Sequence, residues 1–279
     1  MKRFAAAVLL MGLSLPALAT DLTVTYQLKE GKKNKGEKTV YWSEQYQLSS
    51  DKLSKIDILT DYTKGTIYTI DHGKKQVESI NFKSMSGMMG GMSQMMGEMM
   101  NKPGLKKNET MGESLERSAN KYLGDPDKAV LQKLGALTIA GRACDNYKVE
   151  RKGGKFEMSE EVCVDPSLVP PQNPSADADQ MAEAAQGMMG GVLGNMTSQG
   201  QKDLAGLKGT PLRRVNTSKM KGLFGGGTKG WDEEATSVKE GPIEAAVFQL
   251  PMGYRQIDQA KEMQEQMREM QKRMGEMGR

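Results

Sequence analysis

The stretch Gly141–Asp165, GRACDNYKVERKGGKFEMSEEVCVD, constrains this chain more than any other. Two extended runs flank Gly153-Gly154, a pair suited to a two-residue hairpin turn that needs positive φ at both central positions. Counting outward sets Lys152 opposite Lys155, Val149 opposite Met158, and Cys144 opposite Cys163, the chain's two cysteines. Alternation then gives Tyr147, Val149, Phe156, Met158 and Val162 one face and leaves the cysteines with most of the charges on the other. The cysteine pair falls at a hydrogen-bonded position, where a bridge is less comfortable, so the spacing also predicts a bulge near Arg142–Asp145.

Whether those cysteines bridge depends on compartment. Met1–Ala19 reads as a secretion signal: Lys2 and Arg3 lead, Phe4–Leu15 is apolar, and Ala17-Leu18-Ala19 supplies small residues for cleavage after Ala19. The apolar run is short for a bilayer span, and no cysteine follows the cleavage point to carry a lipid. The expectation is export to the periplasm without a transmembrane anchor. In that oxidising space Cys144 and Cys163 are expected to form a disulfide. Two reduced cysteines holding a metal would need further thiol or imidazole ligands, and none lies nearby. Losing Lys2 and Arg3 takes the formal charge from +4 to +2, which argues against a nucleic-acid partner.

Residues 21–82 alternate like a meander of half-buried strands. Leu22, Val24, Tyr26 and Leu28 take one face; after a basic connection at Gly31–Lys38, Val40, Trp42, Tyr46 and Leu48 continue on one face. Ile56 and Ile58 alternate in a third run, and Gly65–Phe82 reads as a hairpin turning at Asp71–Lys74. The single histidine, His72, sits in that turn and reads as a solvated residue, because no catalytic or metal partner accompanies it locally.

At Ser84 the pattern changes. The chain has 23 methionines, and Met85, Met88, Met89, Met92, Met95, Met96, Met99 and Met100 fall within roughly 140° of a helix. Glycines at 87, 90, 91 and 97 each cost about 1 kcal/mol relative to alanine, so this helix would depend on whatever its methionine face covers. Glu113–Leu134 reads as helical with a break at Gly124-Asp125-Pro126, after which Gly135 opens a strand through Leu137 and Ile139. Past an extended connector at Pro166–Pro174, Ala176–Leu207 repeats the device, with Met181, Met188, Met189, Val192 and Met196 as its apolar side chains. Strands resume at Thr210-Pro211-Leu212, and a loop at Gly222–Gly230 separates Leu212–Met220 from Trp231–Lys239. In Ile257–Met277, Met263, Met267, Met270, Met274 and Met277 repeat at a four-three spacing, the period of a helical seam. The seam is short, which favours docking on the chain's own sheet over a coiled coil.

The resulting organisation is a signal at 1–19, one β domain at 20–256 with helical insertions at about 84–134 and 176–207, and a methionine-seam helix at 257–279. Several stretches resemble exported bacterial domains of the LolA/LolB lipoprotein-carrier superfamily. They are Gly65–Phe82, Ile139–Tyr147, Gly209-Thr210-Pro211-Leu212 and Val247–Tyr254, and the likeness covers roughly 21–82, 135–170 and 209–256. The resemblance implies a mainly β (α+β) fold: a curved antiparallel sheet or half-barrel with helices in its concave side, where the relatives hold acyl chains. This chain departs from them in its methionine-rich helices.

Signals of catalysis are weak: the sequence has no nucleophile elbow, phosphate-binding loop or paired-carboxylate motif, and its single possible imidazole base sits in a polar turn. The expectation is a non-enzyme. Three uses of the methionine faces remain open. They can fill irregular space above a sheet. They can form an adaptable surface for an apolar or amphiphilic ligand, a lipid or lipidated chain, with Met85–Met100, Met188, Met189, Val192 and Met196 as its lining. Or they can hold Cu(I), since soft thioethers select soft metals and Met88, Met92, Met95 and Met99 converge on one side. The functional expectation is a binding or carrier protein, with a copper-binding protein or a structural partner of another envelope protein as alternatives.

Overall fold

The computed structural model describes residues 21–84, 117, 128–152, 156–171, 199–220, 228–262 and 265. Six strands lie before the first insertion range: β1 Leu22–Glu30, β2 Lys33–Trp42, β3 Tyr46–Asp51, β4 Ile56–Asp61, β5 Thr66–Asp71 and β6 Gln76–Asn81. Between the insertions come β7 Leu131–Ile139, β8 Arg142–Lys152 and β9 Phe156–Asp165. After the short helix α1, Gln199–Ala205, follow β10 Thr210–Met220, β11 Thr228–Glu240 and β12 Arg255–Asp258. All twelve form one open, curved sheet in the order β12-β6-β5-β4-β3-β2-β1-β11-β10-β9-β8-β7. The chain is mainly β, as expected. Its one departure from an antiparallel sheet is β12, which runs parallel to β6.

Strands β3 to β6 begin at residues 46, 56, 66 and 76, a strict ten-residue period of six-residue strands and four-residue turns. An aspartate closes each of the first three strands, and its carboxylate caps the turn. Asp51 accepts from the Leu53 amide at 2.9 Å, Asp61 from the Lys64 amide at 3.0 Å, and Asp71 from the Lys74 amide at 2.8 Å. The turns end at Lys55, Gly65 and Lys75, each with positive φ, which is unusual for the two lysines. The capping carboxylates hold the turns in shape, and ion pairs from Lys64 and Lys74 back to Asp61 and Asp71 add to two of them.

The two faces of this meander differ. On one, Leu48, Leu59, Ile70 and Val77 are buried under the segment 242–254, whose 3-10 turn Ala245–Phe248 inserts Phe248. The Phe248 ring stacks on Tyr46 with centroids 5.1 Å apart. On the other face, Ile56 and Ile58 are 37% and 46% exposed. The expectation that Val40, Trp42, Tyr46 and Leu48 share a face is therefore corrected. Trp42 lies opposite Gln47 and Tyr41 opposite Leu48, so the tight turn at Ser43–Gln45 sends Tyr46 and Leu48 to the reverse side.

The hairpin β8–β9 forms with the Cys144–Cys163 disulfide, Cα atoms 5.4 Å apart, but in another register. Asn146, not Cys144, lies opposite Cys163, and Lys152 faces Glu157 rather than Lys155. A slip of two residues leaves every side chain on its own face, so alternation cannot tell the two registers apart. The cysteines consequently bridge diagonally, and the pairing is regular where a bulge was expected. Register shifts lie instead between Lys133 and Gly135 on β7 and between Pro211 and Arg213 on β10. Nor is the cysteine face polar: Cys144 and Cys163 are buried with Ile139, Leu168 and Leu212, and the bulge at Leu212, which breaks the alternation on β10, joins Leu22, Val24 and Tyr26 from the other face of the sheet to the same cluster. The reverse face of the same strands, Val149, Val162 and Val164, packs with Ala129 and with Leu204 of α1.

Other boundaries move for physical reasons. Leu131–Leu134, expected in a helix, belongs to β7, where pairing with β8 overrides helix propensity, and Gly135 lies inside that strand at its bulge. The connection expected at Gly31–Lys38 is a turn at Gly31-Lys32, since β2 begins at Lys33. Thr228–Gly230 belongs to β11. Ile257 and Asp258 are strand, and helix begins only at Gln259, where the Asp258 carboxylate caps the Ala260 and Lys261 amides at 3.0 and 3.2 Å. Met263 and the rest of the seam lie outside the described residues.

Candidate functional site

Cross-strand partners identify which residues share a face with the uncovered isoleucines. Val24 lies opposite Val40, Val40 opposite Ser49, and Ser49 opposite Ile58. In the other direction Leu28 faces Glu233, Glu233 faces Arg214, and Arg214 faces Val162, the residue on which α1 packs. One continuous face thus carries the exposed isoleucines at one end, α1 at the other, and a pocket between them.

The pocket measures about 270 Å³ and is lined by Tyr26, Lys38, Val40, Trp42, Gln47, Ser49, Pro211, Arg214 and Glu233. Its floor is apolar and aromatic, supplied by β1 and β2; its edge is charged, supplied by β2, β10 and β11. Tyr26 is buried and its hydroxyl donates to the Pro211 carbonyl at 2.8 Å. Burial holds the Tyr26 hydroxyl well above the ordinary range; the Glu233 charge raises it further, and Arg214 opposes both. Tyr26 is therefore a neutral donor at any physiological pH. Lys38 pairs with Glu233 and sits 5.4 Å from the Tyr26 ring centroid. Arg214 is the unfinished member. Its buried Nε has no hydrogen-bond partner among the described residues and stands 3.7 Å from the Glu160 carboxylate. The Arg214 side chain is 43% exposed, so a ligand acceptor at the pocket edge can reach its guanidinium.

The two insertion ranges meet beside this face. The Gly200 amide of α1 donates to the Ala129 carbonyl at 3.0 Å, and a Cβ at Gly200 would come within 2.6 Å of that oxygen. The last residues of both insertions are thus held backbone to backbone. Gly209, with φ of +116°, makes the second close approach, where a Cβ would come within 2.3 Å of the Asp165 carbonyl. Asp165 in turn anchors Arg142 at 2.6 Å, and Arg142 reaches Glu240 at 3.0 Å, tying β8 and β9 to the end of β11.

The expected ligand and metal residues, Met85, Met88, Met89, Met92, Met95, Met96, Met99, Met100, Met188, Met189, Val192 and Met196, lie outside the described residues. Among the described residues no group of three or more His, Cys, Asp or Glu side chains could hold a metal ion, and no helix is long and apolar enough to cross a membrane. His72 is not the unaccompanied turn residue its sequence context implies. Nε2 is 3.0 Å from the Asp57 carboxylate and Nδ1 is 3.0 Å from the Tyr254 hydroxyl, across a strand and a distant segment that local sequence could not reveal. The geometry is that of a clasp between the meander and the segment covering it. The sequence does not reveal the pocket: alternation gives Tyr26, Val40 and Trp42 their strand faces, but Lys38, Arg214 and Glu233 come from three strands that no local pattern relates.

No protein-family model matches this chain, and no curated protein sequence matches it. Among solved structures the chain is similar to the MucA/MucB complex structure of Pseudomonas aeruginosa, at 10% identity and TM-score 0.34, with 84% of this chain and 56% of that chain covered. It is similar to a crystal structure of MucB in complex with MucA(peri) at 10% identity and TM-score 0.32, covering 85% and 57%. It is also similar to a putative outer membrane lipoprotein-sorting protein domain from Vibrio parahaemolyticus, at 8% identity and TM-score 0.24, covering 82% and 89%. The chain spans just over half the length of the first two.

Proposed function

We propose that this chain is a non-catalytic periplasmic binding or carrier protein for an apolar or amphiphilic ligand, a lipid or lipidated chain. The reading takes residues 20–256 as one domain whose two insertions serve the ligand-bearing face. The observation that carries it is the pocket of Tyr26, Val40 and Trp42, with the unsatisfied Arg214 Nε on its edge. An apolar floor with a charged rim suits an amphiphile whose tail is sheltered while its head accepts from the arginine. At about 270 Å³ the pocket is small for a ligand site, so it would take one apolar segment rather than a whole lipid. The exposed Ile56 and Ile58 continue the same face and would receive the rest. The sequence resemblance to lipoprotein carriers points the same way, as does the secretion signal.

The test uses Trp42 as reporter. In a Trp231→Phe background, a bromine-labelled fatty acid is expected to quench emission saturably, and Val40→Asp is expected to abolish the quench while the circular dichroism spectrum is unchanged. Native mass spectrometry of protein taken directly from the periplasm is expected to show a co-purifying amphiphile. A ligand-free mass together with unsaturable quenching would overturn the reading and leave a structural role in the envelope.

A further inference from the structure

The β1–β2 hairpin tip carries a charge pattern that the pocket does not use. Its sequence from Lys29 to Lys38 holds five lysines against two glutamates. Lys35 pairs with Glu30 at 2.6 Å, and Lys33 and Lys229 also bear on that carboxylate. One anion is therefore shared among three cations. Among the described residues Lys29, Lys32, Lys33 and Lys229 have no ion pair of their own, while the tip is fastened to β11 through the Gly31 amide and the Gly230 carbonyl at 3.2 Å. Directly across from Glu30 lies Trp231, an indole 40% exposed, with Asn216 on its other side. Lys29, Lys35, Lys229 and Trp231 border a hollow of about 690 Å³.

We infer that this tip docks the protein on an anionic phospholipid surface. Excess lysines at a rigid end of the sheet match a negatively charged headgroup layer. Their long stems let the ammonium groups stay among phosphates while the apolar methylenes approach the membrane. The indole is the side chain that settles at the headgroup level of a bilayer. A soluble acidic protein would satisfy the lysines but gives no reason for an exposed tryptophan between them, which is why the lipid is favoured. The residues are distinct from the pocket lining, so this surface and the ligand site succeed or fail separately.

The experiment is vesicle co-sedimentation of the mature protein with phosphatidylcholine alone and with phosphatidylcholine containing phosphatidylglycerol. Trp231 emission is followed in a Trp42→Phe background. Binding to the anionic vesicles alone is expected, weakened by salt and accompanied by a blue shift of Trp231. Each lysine near such a surface is worth roughly a fivefold change in partitioning, so Lys32→Gln, Lys33→Gln and Lys229→Gln together are expected to weaken binding on the order of a hundredfold. Equal binding to both vesicle types would overturn the inference, as would anionic binding that survives the triple variant. A soluble polyglutamate that binds the tip as strongly as the vesicles, with no blue shift from either, would also overturn it in favour of an acidic protein partner.

Discussion

The two limbs of the sheet on either side of β1 hold themselves together by different means. The limb β2–β6 is a local meander, its last three turns each capped by an aspartate, with a separate chain segment closing one face through Phe248. The limb β7–β11 is cross-linked: the Cys144–Cys163 bridge and the Arg142–Asp165 ion pair tie one hairpin, Arg142 reaches Glu240 at the end of β11, and α1 lies over Val149 and Val162. Local turns suffice where strands follow one another at short intervals. In the other limb covalent and ionic links are added to the turns.

The largest effect separating the limbs is expected from Phe248→Ala. Removing a buried aromatic costs about 4 kcal/mol, and amide exchange is expected to rise in β3–β6 while β8 and β9 stay protected. Equal deprotection of both limbs would mean that they unfold as one unit. Next comes loss of the bridge. Cys144→Ser with Cys163→Ser is expected to cost about 3 kcal/mol in chemical denaturation, with opening confined to β7–β9. A smaller effect sharpens the contrast through pH. Burial alone would raise the Asp165 carboxyl, but hydrogen bonds from Ser167 and Arg142 outweigh it and hold it below the ordinary range. Its unfolded form binds the proton more tightly, so its contribution is complete above about pH 4 and is lost as pH falls toward the depressed value. Asp165→Asn is expected to cost about 2 kcal/mol at neutral pH and to flatten the acid side of the stability profile. Asp61 in the meander is lowered likewise: Thr63 and Lys64 outweigh a burial that would raise it, so Asp61→Asn is expected to share the sign.

Much of the β framework was legible because burial follows alternation. Leu22, Val24 and Tyr26 announce β1, and the Cys144–Cys163 bridge followed from two cysteines in one exported hairpin. The register of that hairpin was not legible, since a two-residue slip preserves both faces. β12 was hidden because Arg255–Asp258 has one apolar residue and owes its conformation to the edge of β6. The ten-residue period was in plain view, yet it is marked by aspartates and strand length rather than by apolar residues, on which alternation depends. The pocket was least legible of all. Its polar edge is assembled by pairing residues near 38, 214 and 233, and no local pattern relates them.

The ten-residue period also bears on the order in which the sheet assembles. Hairpins whose strands begin ten residues apart close small loops, so β3–β6 can zip as soon as that part of the chain is free. β1 cannot finish so early. Leu22 pairs with Trp42 on one side but with Glu240 on the other, so one of its edges waits until nearly the whole chain is available. During that interval a nine-residue strand with an apolar face stands open to pairing with other chains. The hazard of misassembly for this molecule therefore falls at the seam where its earliest and latest segments must meet.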